Sequence, residues 1–311
     1  MPIPFTCPYC GHETNMADEH AGRSGSCISC GKQISVPGEV SRTKKSNIMW
    51  IRPGYFYAAI LMGIIAFCGT NIFYRPQSRE SARIVRCKQN IRELVTCVLV
   101  NESSNGVFPP ASGPISSDAE PSDPPMLIAE DWSWRVRILP ELEEGDLYRS
   151  FHFDEPWNSE HNLTVAEHMP DIFQCPSDEF GFKEINGRKV PRSSYVMVSG
   201  PNAVGTVDGS TVSLDDVVQA DGASYTLMIV EVHGDNRPAW TEPHREITLE
   251  HLVESVNREA GIISVGGNHP GGFNVGFCDG SVSTLSDEIT GEELVFMGHW
   301  NDGNIVAPEN Y

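Results

Sequence analysis

Hydrophobic and polar positions follow three rhythms along this chain, and each predicts a different element. From Pro53 to Tyr74 the sequence reads PGYFYAAILMGIIAFCGTNIFY, 22 residues without a charge. A helix rises about 1.5 Å per residue, so the run would cover roughly 33 Å, the thickness of a bilayer's hydrocarbon core. It predicts a transmembrane helix over 53–74. Aromatic residues at both ends, Tyr55 to Tyr57 and Phe73–Tyr74, suit the membrane–water interface. Between 77 and 101 the rhythm becomes amphipathic: Ile84, Ile91 and Val98 recur at seven, with Val85, Leu94, Val95 and Leu99 filling the same stripe. Farther on the apolar runs shorten to strand length, at Ser194–Val198, Thr226–Val232, Gly261–Val265, Phe273–Phe277 and Ser281–Leu285. Asp279-Gly280 joins the last two and predicts a two-residue type I′ hairpin turn. The Pro/Ser/Asp-rich stretch from Phe108 to Pro125 predicts an irregular loop. Together these patterns predict an α+β domain, with a helix packed on an antiparallel sheet.

Cysteine spacing adds a separate module at the start. Cys7-Pro-Tyr-Cys10 is followed after sixteen residues by Cys27-Ile-Ser-Cys30. Each C-x2-C knuckle can aim two sulfurs at one tetrahedral ion, so residues 1–37 predict a zinc ribbon holding Zn2+. A pair of disulfides, or a redox-active C-x-x-C, is the alternative use of the same four residues. Basic residues flank the apolar run on both sides, so charge does not orient it. Thiolate ligation suits a reducing compartment. That places the N-terminus in the cytosol, a basic linker over 38–52, and residues 75–311 outside, in a single-pass protein of the inner (cytoplasmic) membrane.

Charge narrows the partners. The chain carries 42 acidic against 22 basic side chains, and the excess lies beyond residue 88. A domain this acidic repels nucleic acid, and the ribbon itself has few basic residues. The expected partners are the lipid bilayer and other envelope proteins or like subunits. No HExxH, GxSxG, Walker A or dinucleotide glycine motif occurs.

Several ordered blocks resemble a known family. They are Arg83-x-x-Arg86-Cys87-x-x-Asn90, Gly106-Val-Phe108-Pro109-Pro110, Ser133-Trp134-Arg135, Asp154-Glu155-Pro156-Trp157-Asn158-Ser159, Phe173-x-Cys175-Pro176-Ser177, and His269 nine residues before Asp279-Gly280. The chain resembles a pilin-like family of unknown function, expanded in planctomycete bacteria and described as similar to type II secretion or type IV pilin subunits. The resemblance implies a pilin-like long N-terminal helix, membrane-spanning in its first half, on an antiparallel sheet. It implies no established activity. The usual pilin leader and the Glu early in the mature helix are absent, which favours a permanent single-span anchor over a filament subunit.

Five cysteines lie outside the ribbon, and Cys68, within the apolar run, reads as a small hydrophobe. Cys87 and Cys175 stand at positions of the resembled family, which makes them the favoured disulfide. Cys97 and Cys278 are candidates for a second, with four reduced buried thiols as the alternative. His269, Asp279 and Gly280 are read as structural, because the turn explains Asp279-Gly280. A metal or acid–base role of His269 with Glu231 and His233 is the competing reading. Asp154, Glu155 and Trp157 form a second polar–aromatic group suited to a ligand. The function these readings favour is a membrane-anchored, pilin-like structural or protein-interaction component of the bacterial envelope, without catalysis. A transmembrane sensor or adaptor linking an outer ligand-binding domain to the ribbon is the first alternative, and an envelope hydrolase the second.

Overall fold

The computed structural model describes residues 3–38, 53–115, 131–255 and 263–306; within 53–78, only Met62 has a described side chain. The expected linker therefore falls almost entirely, at 39–52, outside the described residues. The chain divides into two compact units, Met1–Cys68 and Gly69–Tyr311.

The first unit contains two short hairpins. β1 (Ile3–Thr6) pairs with β2 (Glu13–Met16), and β3 (Ser24–Ser26) with β4 (Gln33–Ser35). Its small core gathers Phe5, Cys7, Cys27 and Ile34. So small an apolar core contributes little stability on its own, and Cys7 and Cys27 are themselves part of it.

Helix α1 (Pro53–Asn105) leads into the second unit. There follow β5 (Ser112–Pro114), β6 (Asp131–Ser133), α2 (Trp134–Arg137), α3 (Gly145–Arg149), α4 (Glu160–Ala166), β7 (Phe182–Ile185) and β8 (Arg188–Pro191). The centre is built later, from β9 (Tyr195–Ser199), α5 (Leu214–Gln219), β10 (Leu227–His233), β11 (Ile247–Thr248), α6 (Leu249–Ser255), β12 (Ser264–Val265), β13 (Gly272–Phe277), β14 (Val282–Ser286) and α7 (Gly291–Gly298). One six-stranded sheet runs β11-β9-β10-β13-β14, with β12 added beside β10. β11 is parallel to β9, and the other pairings are antiparallel.

Both faces of this sheet are covered. Tyr195, Met197 and Ile229 pack with Ile91, Leu94, Val95 and Val98 of α1. Val196, Val198, Val230, Val232, Phe273 and Val275 face the other way, toward Leu249 and Leu252 of α6 and Leu294 and Met297 of α7. Strands buried on both sides read as continuous apolar runs, as LMIVEV in β10 does. A β-bulge between Leu227 and Ile229 sets which residues of β10 face α1. It turns Met228 and Ile229 to the same side, so Glu231 also points toward the helix. Gly276 of β13 lets α1 come close, since a Cβ there would lie 2.5 Å from Val95 Cγ2 and 2.8 Å from Ile91 Cγ2.

The fold corrects several expectations. It is a mixed α/β architecture with seven helices among the described residues, not the expected pilin-like α+β layer, because α6 and α7 add a helical layer to the sheet face opposite α1. Among the described residues no helix is long and apolar enough to cross a membrane. The membrane-spanning half-helix is therefore not supported, nor is placement as a single-pass inner-membrane protein with residues 75–311 outside. From Arg79 onward α1 is two-faced, with charged side chains on one side and its apolar stripe spent on the sheet. Val85, expected in that stripe, is 66% exposed, while Cys87 and Asn90 occupy the buried face. The β13–β14 turn also differs. The N–H of Gly280 donates to Phe277 O and Gly280 has φ of 88°, while Asp279 does not adopt positive φ. This is a type I turn closed by a glycine bulge instead of type I′.

Candidate functional site: two clusters of metal-competent side chains

Local sequence builds the first cluster. In each knuckle the first cysteine's N–H donates to the carbonyl that opens the next strand: Cys7 to His12, and Cys27 to Lys32. Gly11 and Gly31 close the turns with φ of 70° and 71° and donate back to Cys7 O and Cys27 O. The four sulfurs converge, with Cys7 Sγ 3.9 Å from Cys30 Sγ and Cys10 Sγ 3.8 Å from Cys27 Sγ. The N–H groups of Cys30 and Ser29 push the Cys27 thiol down to about 6. All four ligand atoms lie within 4.8 Å of one another, so Cys7, Cys10, Cys27 and Cys30 could hold a metal ion.

The second cluster lies beneath α1, assembled from four distant parts of the chain. Tyr195, Glu231, Asn274 and Thr284 stand side by side on β9, β10, β13 and β14. Thr284 Oγ1 donates to Asn274 Oδ1 at 2.8 Å, which turns the amide of Asn274 inward. Asn274 then donates to Glu231 Oε2 from its backbone N (2.9 Å) and its Nδ2 (3.2 Å). The other carboxylate oxygen, Oε1, is left aimed at the centre. Gly267 closes over this carboxylate, where a Cβ would lie 2.9 Å from Oε2.

Cys87 reaches the centre from α1. Its Sγ lies 3.3 Å from Glu231 Oε1 and receives Tyr195 OH and Asn274 Nδ2, each at 3.2 Å. Cys175 enters from the loop after Phe173, which Asp178 anchors. That carboxylate accepts from Ser194 Oγ, Arg237 Nη1 and Asn268 Nδ2, and Ser194 Oγ in turn accepts from Cys175 N. His269 comes from the loop between β12 and β13. Its Nε2 lies 3.4 Å from Cys175 Sγ and 3.3 Å from Glu231 Oε1, and its Nδ1 donates to Glu80 Oε1 at 2.9 Å. Ser177 Oγ donates to the same Glu80 oxygen at 2.6 Å. Cys87, Cys175, Glu231 and His269 are all buried, with their ligand atoms within 4.8 Å of one another.

Electrostatics follows from that enclosure. Burial alone would lower the basicity of His269, but its bonds to Cys175, Glu231 and Glu80 outweigh it and raise the imidazole to about 11. The Cys175 thiol is pushed up, first by its bond with Cys87 and then by burial. Tyr195 is pushed up by burial and the surrounding negative groups. Surface hollows lie elsewhere: one of about 570 Å³ is lined by Glu93, Leu142 and His168 among others, and one of about 390 Å³ by Phe108, Pro110 and Tyr148 among others.

The structure thus gathers four residues that sequence reasoning named in two separate groups, Cys87 with Cys175 and His269 with Glu231. Cys87 and Cys175 do come together, but as free thiols. Cys97 and Cys278 are free as well, with Cys97 Sγ donating to Glu141 O and Cys278 fully buried. His233 closes β10 with Nε2 unpartnered. Asp154, Glu155 and Trp157 lie between α3 and α4, where Glu155 pairs with His152, and they do not join the Glu231 group. Asp279 accepts from Ser281 N in its turn. Glu80, Tyr195 and Asn274 escaped sequence reasoning. The signal for Asn274 was a polar residue inside the apolar run GFNVGF.

A mixed α/β domain with an enclosed thiol–carboxylate–imidazole centre, preceded by a four-cysteine unit, is the class these features define. By sequence the chain belongs to the family described as Protein of unknown function (DUF1559), SBP_bac_10, which it matches over residues 76–261. That match includes Cys87, Cys175 and Glu231 and ends before His269. Neither a search of curated proteins nor one of solved structures found a match.

Proposed function

We propose that this protein is a non-catalytic structural or protein-interaction component. In this reading the four-cysteine unit is a zinc ribbon that contacts other proteins or like subunits, and the α/β domain is a rigid body braced from within. The observation that carries it is the enclosure of the cluster that joins His269 to Glu231: Cys87, Cys175 and Glu231 are 0% exposed and His269 5%. A catalytic His–carboxylate pair must touch its substrate, and a buried one touches only its neighbours. Zinc suits the ribbon because a tetrahedral ion with Zn–S of about 2.3 Å separates its sulfurs by roughly 3.8 Å. The two shortest separations, 3.9 and 3.8 Å, agree with that edge.

The test is to assay the purified full chain against chromogenic esters, glycosides and peptides, and to measure its zinc content. Zinc that disappears with Cys7→Ser and Cys27→Ser, and no turnover above buffer, is the expected result. Turnover abolished by His269→Ala would overturn the non-catalytic reading and revive the hydrolase.

A further inference from the structure

We propose that Cys87, Cys175, Glu231 and His269 form a second metal site, a buried centre of two thiolates, one carboxylate and one imidazole suited to Zn2+. It deepens the bracing role assigned above to the enclosed centre, although absence of turnover is a separate matter. The first argument is metric. A tetrahedral ion with Zn–S of about 2.3 Å and Zn–N or Zn–O of about 2.0 Å separates S from N or O by roughly 3.5 Å, and N from O by roughly 3.3 Å. Here Cys175 Sγ to His269 Nε2 is 3.4 Å, Cys87 Sγ to Glu231 Oε1 is 3.3 Å, and His269 Nε2 to Glu231 Oε1 is 3.3 Å. Four donors from four chain segments thus match three of the six edges of one coordination tetrahedron, and all four ligand atoms lie within 4.8 Å of one another.

The second argument lies in the groups behind the ligands. A metal-bound imidazole typically donates its other N–H to a carboxylate, which fixes the tautomer and aims the free nitrogen. Glu80 occupies that position on Nδ1 of His269, and Ser177 steadies Glu80 in turn. A ligating carboxylate is held by its second oxygen, as Asn274 holds Glu231 Oε2 with two N–H bonds. A neutral thiol is a weak acceptor, yet Tyr195 OH and Asn274 Nδ2 both aim at Cys87 Sγ. The S–H of Cys87 itself donates to Glu231 Oε1, so the sulfur is held between two donors and a carboxylate. Glu80 and Asn274 thus position His269 and Glu231 for a cation, and Asn274 together with Tyr195 also fixes Cys87.

Binding is a displacement that balances. The two thiol protons and the Nε2 proton leave to solvent as Zn2+ enters, and Glu231 binds as the carboxylate. The competing fate of the same residues is oxidation of Cys87 and Cys175 to a disulfide, with loss of two electrons and two protons to an oxidant.

The experiment uses the full chain with Cys7, Cys10, Cys27 and Cys30 replaced by Ser, so that metal on the ribbon cannot contribute. After expression with Zn2+, this variant should retain about one zinc ion per chain. Adding Cys175→Ser or His269→Gln should reduce the zinc to background. Loading with Co2+ instead should give the absorption of a tetrahedral ion together with thiolate charge transfer. If those added substitutions unfold the domain, the Co2+ spectrum of the ribbon-less chain still decides the matter. A metal-free chain, with Cys87 and Cys175 either alkylatable or joined by a disulfide in non-reducing peptide mapping, overturns the proposal. That outcome leaves the non-catalytic reading intact, and turnover by a zinc-loaded chain would do the reverse.

Discussion

Replacing Arg135 tests whether this domain is organised around buried charge. Arg135 has no exposed side-chain surface, and its partner Glu246 is 1% exposed. The guanidinium gives Nη1 to Glu246 Oε1 at 2.6 Å and to Ser133 Oγ at 2.9 Å. Nη2 donates to Glu246 Oε2 at 3.1 Å, and both Nε and Nη2 donate to Tyr195 O. Arg135→Ala removes all five bonds and leaves Glu246 a buried carboxylate without its cation. Breaking one half of such a pair costs about 3–5 kcal/mol. With a urea slope of about 2–3 kcal/mol/M, the midpoint should fall by roughly 1–2.5 M. Buried Trp132, Trp134 and Trp240 supply a fluorescence signal for the transition.

An apolar double replacement, Arg135→Met with Glu246→Leu, often rescues an isolated buried pair. Here it should not. Glu246 Oε2 also accepts from Trp134 Nε1 at 3.0 Å and Met197 N at 2.7 Å. Those two donors would be orphaned at about 1–3 kcal/mol each, so the double variant should stay well below wild type. A double variant as stable as the parent, or an Arg135→Ala midpoint shift under about 0.3 M, would refute the argument.

Three further outcomes follow from other parts of the fold. Gly276→Ala should lower stability by about 1–3 kcal/mol in thermal melts, because the new methyl meets Val95 and Ile91 of α1. Val95→Ala in the same chain should recover part of that loss, and simple additivity would show that α1 does not press on β13. Burial, aided by Glu93 and Glu141, pushes the Cys97 thiol up to about 11. In the native chain at pH 8, iodoacetamide should therefore leave Cys97 unmodified by peptide mass spectrometry, and rapid labelling would contradict its burial. Stripping metal from the four-cysteine unit should abolish hydrogen-exchange protection in residues 3–38 while leaving that of β9, β10 and β13 unchanged. Retained protection in the ribbon would mean its small core suffices without the ion.

How much could be read beforehand depended on the range of the interaction. The knuckles are local: four cysteines and two glycines within 25 residues state their own geometry. β9, β10, β13 and β14 were legible to within a residue, because they are runs of apolar and β-branched side chains, whereas the short strands β5 to β8 and β11 were not foreseen and β12 is shorter than expected. The buried centre was legible only as parts. Cys87 and Cys175 suggested a bridge, and His269 with Glu231 a competing metal or acid–base pair, but nothing local says that the four meet. The available clue was Glu231 itself, a charge amid LMIVEV that must find partners if the strand is central. Arg135 was quoted only as part of a block, with no partner in view, since Glu246 lies 111 residues away. The covering of the sheet's second face depended on α6 and α7, short helices whose pattern is weak on its own.

The bulge at Leu227 and Ile229 makes this architecture a matter of phase. Because side chains on a strand alternate, one extra residue decides which half of β10 meets α1. With Met228 in place, Glu231 joins the polar row under the helix, while Val230 and Val232 close the apolar layer beneath α6 and α7. Deleting Met228 would pull the strand by one step and push either the carboxylate into that oily layer or the whole strand out of register with its neighbours. A single insertion three residues before Glu231 thus acts as the chain's parity bit, assigning the buried polar row to the side of α1 and purely apolar packing to the side of α6 and α7.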